Sequence, residues 1–182
     1  LMDEFSYINH FNVLAGSINV HLKKTGAIGK SNYIRRSGGN VTYGESHLVI
    51  GVLSKITSNH FIDVTRSVIF GDYSTLAGIR SQLWTHGYMH ADEGPDRFRV
   101  DGEIKVGNNV YIGSGVLINP GVEIVDAVNI GGNATISKSL LEKGMYVNQA
   151  LRVLPKNFNK TKTKLSKVTG YDLIEEVYEK SL

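Results

Sequence analysis

Six histidines and no cysteine set the chemical repertoire of this chain. Without a thiolate, a cysteinyl acyl-enzyme, a disulfide and a Cys-based zinc site are excluded. Two of the histidines, His86 and His90, fall in the polar stretch THGYMHADEGPDRFRVDGE that runs from Thr85 to Glu103. A neutral imidazole, with an ordinary pKa of about 6.5, can take the proton of a weakly nucleophilic hydroxyl near neutral pH. No Ser stands with a His in a nucleophile-elbow pattern, so nothing here points to a seryl intermediate. A different reading casts His60, His86 and His90 as a three-histidine metal set. Asp92, Glu93 and Asp96 either orient a histidine or simply face water.

Whatever these side chains do, a repeat must position them. From Val106 onward the chain divides into sixes headed by Val106, Ile112, Ile118, Ile124, Ile130 and Ile136. The fifth places, Val110, Val116, Val122, Val128, Ala134 and Leu140, are apolar as well. A period of six spreads apolar residues around every side of an α-helix, so amphipathic helices do not explain it. Short flat strands joined by tight turns do: three make one coil of a triangular prism, and coils stack about 4.8 Å apart. The second place of each hexad sits at a crowded corner and calls for small or φ-permissive residues. Gly107, Gly113, Asn119, Gly131 and Ser137 comply, and Val125 does not.

Upstream the repeat continues with lower fidelity. Ile50, Ile56 and Ile62 keep the spacing, a two-residue slip follows, and Phe70 and Leu76 resume it. Leu14 with Val20, and Ile28 with Ile34, read as two coil fragments separated by an insertion. The segment 85–103 reads as a loop thrown out of the prism, and long loops in compact domains often carry function. After Gly144 the character changes. Leu173, Ile174, Val177 and Tyr178 form one helical stripe, which predicts an amphipathic helix capping the solenoid or docking on a neighbour. The expected architecture is all-β: a left-handed parallel β-helix over residues 1–145 with a loop at about 85–103, then a closing segment and helical cap over 146–182.

Composition narrows the partners. The formal net charge is +3, much of it from Lys156, Lys160, Lys162, Lys164 and Lys167 near the C-terminus. The basic residues are not interleaved with aromatics, which argues against nucleic-acid binding. No apolar run approaches the roughly 18 residues of a membrane span, and no signal peptide is visible, so membrane insertion is not expected and a cytoplasmic location is.

The run VGNNVYIGSGVLINPGVEI, from Val106 to Ile124, resembles the hexapeptide-repeat acyltransferases of the maltose, galactoside and nodulation-factor O-acetyltransferase group. IFGDYSTLAG, from Ile69 to Gly78, fits the same pattern. YVNQALRVLP, from Tyr146 to Pro155, is similar to the family's closing segment, with Asn148 where Gly is usual and Ala150 where Pro is usual. The resemblance covers roughly residues 50–155. It implies a homotrimer and acetyl-CoA as cosubstrate, without a metal. It also implies a catalytic histidine on the protruding loop, matched by His86 with His90 as the alternative. For CoA it implies contacts at Ser114 and Gly132, one coil apart on an edge, at Ser137 and Lys138, and at Arg152. Trp84 and Tyr88 beside the histidine, and Asn59 with His60 about a coil below, are the candidate acceptor contacts. The implied reaction is O-acetylation of a sugar or a surface-polysaccharide precursor. N-acylation of an aminosugar, a catalytically silent β-helix scaffold and a γ-carbonic-anhydrase-like metal enzyme are the alternatives.

Overall fold

The computed structural model describes residues 1–148 together with 163, 166–167 and 178–179. Residues Leu1–Asn148 form one compact unit and Gln149–Leu182 a second. In the first unit nearly every strand is two to four residues long and pairs in parallel with the strand one coil away. Three such sheets make the sides of a left-handed parallel β-helix.

The β-branched and aliphatic heads explain why the coils stack. On the five-stranded side, Leu22, Ile50, Phe70, Val106 and Ile124 stand in register above one another. On the seven-stranded side the column is Ile28, Ile56, Leu76, Ile112 and Ile130. On the six-stranded side it is Ile34, Ile62, Leu83, Ile118 and Ile136. All fifteen are buried and form one continuous core. Leu22, not Val20, is the head that continues the column on its side, because Val20 pairs with Leu48 and Leu22 with Ile50.

Two corner positions divide the work that the sequence assigned to one. The second hexad place is the crowded one: a Cβ on Gly107 would lie 2.7 Å from the backbone nitrogen of Asp126, and one on Gly113 2.8 Å from that of Gly132. The left-handed turn falls instead at the fourth place, where Asn109, Gly115, Gly121, Ala127 and Asn133 have φ of 55°, 68°, 77°, 59° and 58°. Corner polar groups then stack as ladders. Ser54 Oγ donates to the Gly71 carbonyl at 2.6 Å and accepts from Ser74 N–H at 2.8 Å, while Ser74 Oγ donates to the Gly107 carbonyl at 2.7 Å.

The large departures from the six-residue spacing fall on one edge, where the six-stranded side turns into the five-stranded side. Leu14 to Leu22 and Ile62 to Phe70 are slightly long, Ile34 to Ile50 carries an insertion over 36–46, and Leu83 to Val106 carries another. The first insertion contains a 3-10 turn, Gly39–Val41. The second is a β-hairpin where a loop was expected: His86–His90 pairs antiparallel with Arg97–Asp101. Polar and apolar residues alternate along Arg97–Asp101, but the apolar face is the exposed one, so the alternation carries no mark of a strand packed on the core. His86, Tyr88, His90, Arg97, Arg99 and Asp101 share one face; Met89, Phe98 and Val100 point to the other.

In the second unit, Ser166–Lys167 pairs antiparallel with Tyr178–Glu179. Strand therefore replaces the expected helix at Tyr178 and Glu179, while Leu173, Ile174 and Val177 lie outside the described residues.

Coil stacking tolerates no added atoms at the close approaches. A Cβ on Gly29 would stand 2.1 Å from the Thr57 carbonyl oxygen and 2.8 Å from its carbon, both backbone atoms. Gly29→Ala is expected to cost about 2 kcal/mol or more through forced displacement of the coils, lowering Tm by roughly 4–8 °C. Thermal unfolding followed by circular dichroism checks this; an unchanged Tm would show that the coils spread freely.

Candidate active site

The strand Phe61–Asp63 lies one coil below Gln82–Leu83, which places Asp63 directly beneath the start of the hairpin. Asp63 is fully buried, and its carboxylate is surrounded by donors. Oδ2 accepts from Thr85 Oγ1 at 2.5 Å, from Thr85 N–H at 3.0 Å, and from His86 Nδ1 at 2.8 Å. Oδ1 accepts from Thr65 Oγ1 at 2.7 Å and from Thr65 N–H at 3.3 Å. Burial alone pushes this carboxyl upward. The hydrogen bonds from Thr85, Thr65 and His86 outweigh it and hold Asp63 below the ordinary carboxylate value.

A carboxylate can only accept, so Nδ1 of His86 carries the proton and Nε2 of the neutral ring is left with its lone pair. The imidazole side chain is 15% exposed. It stands edge-on between two aromatic rings, Trp84 at 6.1 Å and Tyr88 at 6.3 Å between centroids. Such an arrangement can take a proton from a group that approaches Nε2, with the ring fixed by its carboxylate partner.

The two aromatic neighbours of His86 line separate clefts, Trp84 one and Tyr88 the other. One, of about 520 Å³, lies on the six-stranded side and is lined by Tyr33, Asn59, Phe61, Arg80, Gln82 and Trp84 among others. Tyr33, Phe61 and Trp84 stack there one above the next, with centroids 5.6 and 4.6 Å apart. The other, of about 530 Å³, lies between the insertion and the hairpin and includes Tyr43, Tyr88, Arg99 and Asp101. Trp84 and Asn59 therefore share one cleft, and Tyr88 faces the other.

His60 lines the same cleft as Asn59 and Trp84, with both ring nitrogens engaged within the chain. Its ring is buried, at 2% residue exposure, and is spent on a corner ladder. Nδ1 accepts from Ser81 N–H at 3.1 Å, Nε2 meets Thr57 Oγ1 at 2.9 Å, and its backbone N–H donates to Asn32 Oδ1 at 2.9 Å. Both ring nitrogens being engaged within the chain, His60 does not join His86 and His90 in a metal set. Among the described residues no three His, Asp or Glu converge as metal ligands. His90 is exposed further out on the hairpin, opposite Arg97, away from Asp63.

Ser114 and Gly132 are stacked on one corner, where Asn133 N–H donates to the Ser114 carbonyl at 2.8 Å. That corner bounds the six-stranded side on the edge opposite His86, and Arg80 occupies it one coil below. Ser137 and Lys138 are exposed on the same edge as His86, two coils along, or about 10 Å. They line a small cleft of about 280 Å³ with Asn148 and Tyr146. Arg152 lies outside the described residues. Asp63 was missed in the sequence, although a carboxylate directly after the core head Ile62 breaks the small-residue habit of that hexad place. Counting one coil back from His86 would have found it.

Comparison with family models and with curated proteins gives no match. Solved structures do match. A galactoside acetyltransferase in complex with coenzyme A shares 24% identity at a TM-score of 0.58, over 88% of this chain and 72% of that one. A point mutant of AntD, an N-acyltransferase from Bacillus cereus in complex with dTDP and coenzyme A, shares 16% at 0.54, over 88% of each chain.

Burial holds the His60 ring near a pKa of about 4, against an ordinary 6.5. The unfolded chain takes up a proton below pH 6.5 that native His60 refuses, so this residue's contribution is complete above pH 6.5 and is lost as pH falls toward 4. The full extent is about 3 kcal/mol. NMR titration of the imidazole resonances is expected to show His60 neutral at pH 5.5; titration near pH 6.5 would contradict the buried ladder.

Such likenesses in solved structures establish the fold: the chain is a left-handed parallel β-helix of the hexapeptide-repeat kind, built like the acyltransferases it resembles.

Proposed function

We propose that the chain is an acetyl-CoA-dependent O-acetyltransferase acting on a saccharide hydroxyl, with His86 as general base and Asp63 as its positioning residue. The observation that carries this reading is the 2.8 Å contact between His86 Nδ1 and the buried Asp63 carboxylate, with the ring held between Trp84 and Tyr88, which line separate clefts. The coenzyme A bound in the galactoside acetyltransferase and AntD structures supports the acyl donor.

Acetyl-CoA, when bound, supplies a thioester carbonyl and a thiolate leaving group. The small residues at Gly113, Ser114 and Gly132 leave a corner along which an extended ligand can lie, and exposed Arg80 on the same corner leads into the cleft beside Trp84. His86 Nε2 takes the acceptor's hydroxyl proton as the C–O bond forms. It returns that proton to the departing sulfur as the C–S bond breaks, so His86 ends as it began. Asp63 stays ionised throughout and stabilises the transient imidazolium, in the manner of a triad carboxylate. No acyl-enzyme is needed. Assembly as a homotrimer belongs to the same proposal and follows from the family resemblance.

The AntD likeness motivates including aminosugars, since the same base serves an amine acceptor. In a CoA-release assay with a sugar and aminosugar panel, His86→Ala is expected to lower kcat about 10²–10⁴-fold. Its affinity for acetyl-CoA by calorimetry is expected to stay within about threefold, because the ring is not a binding contact. Asp63→Asn is expected to lower kcat about 10²-fold or more by releasing the tautomer. Loss confined to His90→Ala would move the base to that residue. Wild-type protein that does not bind acetyl-CoA would refute the transferase reading.

A further inference from the structure

The two threonines that reach Asp63 are built alike. Each hydroxyl oxygen accepts a backbone hydrogen bond from the coil below: Arg66 N–H to Thr85 Oγ1 at 2.9 Å, and Ser37 N–H to Thr65 Oγ1 at 3.3 Å. Both residues are buried. With that acceptor position taken, each hydroxyl proton has two places to go. For Thr85 they are the Asp63 carboxylate at 2.5 Å and the Asp63 backbone carbonyl at 3.3 Å. For Thr65 they are the carboxylate at 2.7 Å and Ser37 Oγ at 3.0 Å. In both cases the anion is nearer, and a charge-assisted bond is about twice as strong as a neutral one. Both protons therefore point at Asp63, and Ser37 Oγ is left to donate to Thr65 from behind.

Counted by lone pairs, the carboxylate is full. It offers about four acceptor sites, and five donors reach it, three on Oδ2 and two on Oδ1. A proton can settle on Asp63 only by displacing one of these donors, and a buried donor left unpaired is costly. The other charged groups around the pair are engaged or face solvent. Arg35, the register partner of Asp63 one coil below, is exposed. Arg66 on the same coil lies over the Tyr43 ring and 4.0 Å from Glu103. On the hairpin, Asp101 opposite His86 is held by Arg99 at 2.7 Å, and Arg97 lies over the Tyr88 ring. Among the described residues none of these side chains is a donor to Asp63, so the two hydroxyls and His86 dominate its surroundings.

We propose that Thr65 and Thr85 are positioning residues that close the Asp63 carboxylate to protons, so that the pair takes its inactivating proton on His86 Nε2 and the two hydroxyls set the pH below which activity is lost. The inference rests on the transferase reading above, which supplies the activity. Removing either hydroxyl withdraws a donor from the anionic carboxylate and opens a lone pair on it. The protonated pair loses less, because the imidazolium already compensates the carboxylate charge. The proton therefore binds at higher pH.

The test has two readouts on wild type, Thr85→Val, Thr65→Val and Thr85→Ser: the pH dependence of kcat/KM for acetyl-CoA with the fastest sugar of the panel, and NMR titration of the His86 ring nitrogens. In both valine variants the acid limb and the ring titration midpoint are expected to move up together by about one pH unit, a tenfold gain in proton affinity. Thr85→Ser, which keeps the hydroxyl, should hold both at their wild-type positions. Circular dichroism reports folding, and Thr65→Val carries the test where Thr85→Val does not fold. A kcat lowered equally at every pH, with limb and midpoint unmoved, overturns the proposal and leaves the threonines a purely structural role. Thr85→Ser moving as far as Thr85→Val overturns it as well. Wild type that does not bind acetyl-CoA removes the transferase reading and the claim about activity with it, whereas the ring titration still decides whether the hydroxyls close Asp63.

Discussion

Coil-on-coil registration is the constraint on which everything else in this molecule depends. Each turn of the prism places its three core heads directly above those of the turn before, and the column Ile34, Ile62, Leu83, Ile118 and Ile136 shows how literally this holds. Because the columns are continuous, a slip of one residue in any strand would exchange a buried aliphatic for a polar neighbour along a whole side. The corners are bound by the same registration. Their close approaches leave no room for a Cβ at Gly29 or Gly107, and many of their polar groups find partners in the coil above or below.

Registration also explains why the chemistry gathers on one edge. An insertion can leave the prism only if the chain returns to the same register, and the edge after the six-stranded side accepts both large ones. The hairpin and the 36–46 insertion leave that edge two coils apart, with Asp63 and Thr65 on the coil between them. A carboxylate there is shielded from water by the structure on either side, yet five protein donors reach it. A buried charge with fewer donors would shift toward its neutral form. The satisfied carboxylate keeps its charge and thereby fixes the tautomer of His86.

His60 and His86 show how differently two histidines on one scaffold are used. They belong to neighbouring coils. His60 is drawn into a corner ladder between Asn32 and Ser81, and burial suppresses its protonation. His86 begins the hairpin, touches a charged partner and stands between Trp84 and Tyr88, which line separate clefts. The difference comes from position relative to the corner, not from residue type.

Much of this was legible in the chain itself. The six-residue period determined the solenoid, because only short strands with tight turns bury heads at that spacing, and the break at 85–103 marked where a functional element departs. Glycines at Gly107 and Gly113 announced the crowded corners. What the sequence left undecided were matters of pairing across coils. Asp63 and His86 are twenty-three residues apart, and no local pattern joins them; stacking brings them to 2.8 Å. The hairpin escaped notice because its apolar face, Met89, Phe98 and Val100, is exposed and joins none of the core columns that mark the other strands. That both ring nitrogens of His60 are engaged by Ser81 and Thr57 cannot be told from the sequence. Periodicity is a local property that the chain carries residue by residue, whereas a site assembled from different coils exists only once the coils are stacked.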